Sequence, residues 1–116
     1  MGFFGGPSKD VLLQMAQGVA SIAMQIQMLE KLDEVSKKKL LSGLKAQGEP
    51  TNMNELIFMA ASVVTEQDLG WHKKNLYLGM IFGSLVSMGM SEMDANHIKG
   101  QIEFLAQAIK RQMKSR

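Results

Sequence analysis

The side chains that could do chemistry gather between Met88 and His97, where the thioethers of Met88, Met90 and Met93 lie near an imidazole. Thioether and imidazole are soft donors suited to monovalent copper. Asp94-x-x-His97 also sets a carboxylate and an imidazole on one helical face, half of the pattern that di-iron bundles use twice. No second such unit occurs, and a copper-carrying methionine cluster belongs in an exported protein. The opening Met1-Gly2-Phe3-Phe4-Gly5-Gly6-Pro7 has no basic region ahead of an apolar core, so no secretory signal is expected, and Gly6 stands where acylation of Gly2 would want Ser or Thr. Soft-metal or small-ligand binding is therefore the third reading of the chain, and neither a metal nor a cofactor is expected.

Trp71-His72-Lys73-Lys74 puts an aromatic beside three potential cations that could meet a phosphate or an anionic headgroup. The plainer expectation is that Trp71 covers the core and the lysines stay solvated. Catalytic patterns are missing: there are no paired carboxylates in an apolar run, no serine in a glycine-flanked turn and no phosphate loop. Two distant histidines and zero cysteines complete the case for a protein that is not an enzyme.

The elements that would carry these groups are helices. Charged residues make up 21% of the chain, yet Val11 to Leu29 and Asn75 to Ser91 contain none. A surface helix carries charge on its outer face, so both segments must be covered by the domain, by another chain or by lipid. Ser8 can cap the first helix, in which Leu12, Met15, Val19, Ile22, Ile26 and Leu29 recur at steps of three and four as an a/d seam. Gln14, Gln17, Gly18, Ser21 and Gln25 form a second, polar but uncharged stripe that suits a covered polar interface. A second helix from Ser36 to Gln47 shows Leu40, Leu41 and Leu44 on one face and stops at Gly48-Glu49-Pro50.

Asn52 and Glu55 form a capping box for a third helix, almost continuously apolar from Leu56 to Val64 and so expected to be central. The fourth helix, Trp71 to Met88, is apolar all round except for a groove of small residues at Gly79, Gly83 and Ser87, and is expected to be enclosed by its own domain. Gly89 ends it. Ser91 caps a fifth helix with Ile98, Ile102, Leu105, Ile109 and Met113 on one side and Lys99, Glu103, Lys110 and Lys114 opposite. His97, Gln101 and Phe104, with Arg111 nearby, form a separate patch suited to contact. Leu12-Leu13-x-Met15-Ala16 resembles Leu56-Ile57-x-Met59-Ala60, a match too short to establish a repeat.

The expected fold is all-α: one domain over residues 8–114, a compact bundle or orthogonal array of four to five helices, behind a flexible arm at residues 1–7. Net charge of +2 is well short of a nucleic-acid binder's signature. Leu40 to Val64 has the outline of a helix-turn-helix, but its second helix would offer base edges mainly Ile, Phe, Met and Val. Nucleic acid is not an expected partner. Eleven methionines, among them Met24, Met28, Met53, Met59 and Met80, suit either core filling or an adaptable binding surface.

The leading expectation is a small cytoplasmic, bacterial-type adaptor, chaperone-like or regulatory protein, a homo-oligomer or subunit of a larger assembly. Its interface residues would be Leu12, Met15, Val19, Ile22, Gln25, Ile26 and Leu29, with Gly79, Gly83 and Ser87. The alternative is a membrane-associated protein using Trp71 to Lys74 and the apolar fourth helix, although that segment is at the lower length limit for spanning and is interrupted by polar and glycine positions.

Overall fold

A computed structural model describes residues 7–114 and contains five helices: α1 (Lys9–Leu29), α2 (Glu34–Ala46), α3 (Met53–Glu66), α4 (Trp71–Ser87) and α5 (Glu92–Lys114). All but the last residue of the expected N-terminal arm lies outside the described residues. Among those described there is no strand, and no helix is long and apolar enough to cross a membrane.

Each helix begins and ends for a local reason. Oxygen atoms of Ser8, Asp33, Asn52 and Ser91 accept from the backbone N–H three residues on, at 3.4, 2.8, 2.9 and 3.1 Å, satisfying donors that the first helical turn leaves open. Asp33 starts α2 earlier than the expected Ser36, and its hydrogen bonds from Ser36 hold its carboxyl below the usual carboxylate range. Glu55 does reach back, but to the N–H and hydroxyl of Thr51 at 2.9 and 3.1 Å, one residue before the cap. Only Gly70 opens its helix, α4, with no side-chain cap.

Helices α2, α3 and α4 share one kind of ending. The backbone turns left-handed at Gly48, Asp68 and Gly89, with φ of 73°, 50° and 110°. The next residue then donates back into the last turn: Glu49 to Leu44, Leu69 to Val64 and Met90 to Leu85, at 2.8, 3.0 and 3.0 Å. This is the Schellman arrangement, in which the residue after the turn often makes an apolar contact. Leu69 and Met90 are indeed buried, so each turn plugs the core as the chain changes direction.

The four long helices close a ring of contacts: α1 packs on α4, α4 on α5, α5 on α3 and α3 back on α1. Helix α2 is peripheral and buries only Leu44. The inward face of α1 differs from the expected seam. Leu12, Val19, Ile26 and Leu29 are buried, but Met15 and Ile22 are only half-buried, and Ala16, Ala20 and Ala23 take the inner positions. Ala60, Ala61, Ala95 and Ala106 do the same on α3 and α5. Alanine lets neighbouring backbones come close, and the bulkier Met15 and Ile22 are displaced to the edges of the contact. The Leu12/Leu56 and Ala16/Ala60 correspondence is thus two helices presenting the same kind of inward face.

The other corrections follow from the same geometry. Phe58 is 57% exposed, so α3 is not enclosed all round. Gly79, Gly83 and Ser87 are exposed, so α4 turns its small-residue row away from its own domain. Met113 is exposed as well, in the last turn of α5, where it lines the same hollow as the exposed Trp71.

Across the ring, the Tyr77 hydroxyl of α4 donates to the backbone carbonyl of Ala60 in α3 at 3.3 Å, with Tyr77 fully buried. A carbonyl oxygen has two lone pairs, so Ala60 can accept without giving up its own helical bond. Burial pushes the phenol well above its ordinary pKa of 10. The unfolded chain therefore loses this proton first, and the contribution to stability, complete below pH 10, declines as pH rises beyond it. Tyr77→Phe should cost about 1 kcal/mol in denaturant unfolding at neutral pH. It should also flatten the fall in stability above pH 10 relative to the parent chain.

Candidate interaction surfaces

The exposed faces of α1 and α4 meet in a single surface. A shallow hollow of about 660 Å³ runs between them, lined by Leu13, Gln17, Gly18 and Ser21 from α1 and Met80, Gly83, Ser84, Ser87 and Met88 beyond the end of α4. None of these residues is charged. A Cβ added at Gly18, Gly79 or Gly83 would meet nothing within 4 Å, so these positions are open. Along the α1 stripe the Gln25 side-chain amide donates to the Ser21 hydroxyl within the helix, at 3.5 Å.

This arrangement divides the residues expected to form an interface. Leu12, Val19, Ile26 and Leu29 are committed to the chain's own core, Met15, Ile22 and Gln25 lie at its margin, and Gly79, Gly83 and Ser87 face outward. The outward surface of α1 is the uncharged polar stripe, not the seam. The sequence points to a fourth helix enclosed by its own domain, and it also offers both the stripe and the glycine row as contact surfaces, with nothing to say that they adjoin. Adjacency of α1 and α4 makes them one surface.

A second groove, of about 690 Å³, lies between α3 and α5. His97, Gln101 and Phe104 line it, as the patch on the fifth helix foretold, while Arg111 does not. Asn54, Ile57 and Phe58 supply the opposite wall. Phe58 could not be picked out beforehand because it sits in a continuous apolar run, where periodicity does not distinguish inward from outward positions.

The remaining candidates are dispersed. Met90 is buried in the core, whereas Met93 is 82% exposed and Met88 partly so, and the three thioethers do not share one environment. Among the described residues, no group of three or more His, Cys, Asp or Glu side chains is placed to hold a metal ion. Trp71 is 74% exposed, because Leu69 instead fills the core position at the α3–α4 turn. Its ring lies 6.1 Å from that of His72. The neighbouring lysines are engaged: Lys73 donates to the Pro7 carbonyl at 2.7 Å, and Lys74 pairs with Glu103 at 3.5 Å. On the next face Lys99 stands 5.8 Å from the centre of the Phe82 ring, a cation–π contact.

No protein-family profile, curated protein or solved structure matches this chain.

Trp71 is the single tryptophan, so its exposure can be read directly. Its fluorescence should have the emission of a hydrated indole and be quenched by acrylamide nearly as readily as in the unfolded chain. Blue-shifted, protected emission would contradict the placement at the start of α4.

Proposed function

We propose that this protein is a non-enzymatic protein-interaction module that acts through the uncharged α1–α4 surface and self-associates there. The observation that carries this reading is the joining of two charge-free helical faces into one exposed surface, in a chain where charged residues make up 21%. Interface centres are depleted of charge because removing a charge from water is costly, whereas Gln and Ser can exchange water for hydrogen bonds to a partner. Outward glycines at Gly18, Gly79 and Gly83 would let a second helix approach closely and gain dispersion contacts. An adaptor or regulatory subunit fits such a surface better than an enzyme does, since the hollow has no titratable group in its lining.

Light scattering should give a mass that is a multiple of 12.8 kDa. The test pairs this with Gly79→Ala/Gly83→Ala. On a free helical face each substitution should stabilise the chain by about 0.8–1 kcal/mol, and the added methyl groups should also hold a second backbone away. Dissociation to monomers that unfold at higher temperature is the expected outcome. A parent chain that is monomeric throughout a concentration series, or a double variant that remains fully associated, overturns the reading.

A further inference from the structure

A third hollow lies where the α3–α4 turn meets the C-terminal end of α5. Its volume is about 420 Å³, within the roughly 300–1,000 Å³ usual for small-molecule sites, and it is more enclosed than the two surface hollows described above. Val64, Leu69 and Ala106 are its buried apolar members. Trp71 and Met113 also line it, leaving 74% and 59% of their surfaces in water. Lys110 and Lys114, one helical turn apart on α5, add positive charge. Neither has an ion pair among the described residues, in contrast to Lys74, which is tied to Glu103. Asp68 is the one carboxylate of the lining.

We propose that this cleft binds a single-chain anionic amphiphile, its alkyl or aryl body against Val64, Leu69 and Ala106 and its carboxylate or phosphate monoester at Lys110 and Lys114. Cations in the last turn of α5 are themselves favourable to the helix dipole. That effect does not account for Trp71 and Met113 lining the same apolar cleft as the lysines. Buried apolar members with exposed cations fit a ligand whose tail enters and whose head stays wet, the reverse of a site for a wholly polar anion. Lysine offers a compact charge on a flexible stem that can follow such a head, without the fixed fork of arginine. A flat bilayer cannot reach the buried members of a concave cleft, and a single chain can. The site shares no residue with the α1–α4 hollow, so its test is independent of self-association.

The probe is decanoate below its micellar concentration, with Trp71 fluorescence as the readout. Binding should be saturable at one decanoate per chain and shift the emission to the blue. Decanol should bind at least about tenfold more weakly, and Lys110→Gln/Lys114→Gln should weaken decanoate by about tenfold or more, a difference of about 1.4 kcal/mol. Both lysines are exposed, so circular dichroism should be unchanged. Asp68→Asn retains a side chain that tolerates the left-handed turn and should tighten decanoate binding. The proposal is overturned by a response that does not saturate, by equal affinity for decanol, by variants indistinguishable from the parent, or by inorganic phosphate competing as well as decanoate. Flotation with phosphatidylglycerol vesicles in the absence of decanoate binding would overturn it in favour of a membrane-surface role.

Discussion

Filling the centre of the ring, between two helices that do not pack as neighbours, is the constraint on which the rest of this structure depends, and Tyr77 meets it by reaching from α4 across to α3. A fully buried phenol needs an acceptor, and here it finds the backbone of α3 itself, at Ala60. Ala60, with only a methyl side chain, leaves room for the phenol beside its own carbonyl. Ala16, Ala20 and Ala23 on α1 and Ala95 and Ala106 on α5 extend the same condition around the ring. Each alanine removes little apolar area from water, so cohesion must come from dense contact among Leu12, Leu56, Leu78, Ile81, Leu85 and Ile102. The turns serve the same end. Leu69 and Met90 enter the core directly after a left-handed residue, fixing where α4 and α5 begin.

Helix limits were legible in the sequence because they are set locally. Ser8, Asn52 and Ser91 each reach a backbone N–H three residues away, and Gly48 and Gly89 supply the left-handed turn whatever lies elsewhere in the fold. Asp68 was harder to see, since a non-glycine residue in that conformation leaves a weaker mark. The facing of each helix was less legible. Met15 and Ile22 resemble core residues by size, yet the bundle puts alanines at the inner positions and leaves these two half-buried. Alanine is an equally good helix former on either side, and its burial depends on which helix lies opposite.

The surface followed the same division. Missing charge along the first and fourth helices can be read from composition, but their joining into one face depends on α1 lying beside α4, a tertiary fact. Glycines spaced by four residues mark a helix side that permits close approach without saying from which direction. Here the alanines already provide the internal contact, so the glycine row is left outside. Trp71 shows the converse: an aromatic at a helix start is a natural cover for a core, but Leu69 occupies that place and the indole remains in water.

The outward glycines carry an energetic argument of their own. Gly18, Gly79 and Gly83 lie within helices, meet no neighbour that a Cβ would touch, and have no positive φ to require them. Each forgoes about 0.8–1 kcal/mol of helix stability relative to alanine, together an appreciable fraction of the roughly 5–15 kcal/mol by which domains are stable. Among the described residues nothing offsets that loss, because a Cβ at any of the three positions would meet no neighbour. A second backbone seated on the α1–α4 face would offset it, converting the missing methyl groups into interhelical contact and covering Leu13 and Met88, which the chain leaves exposed.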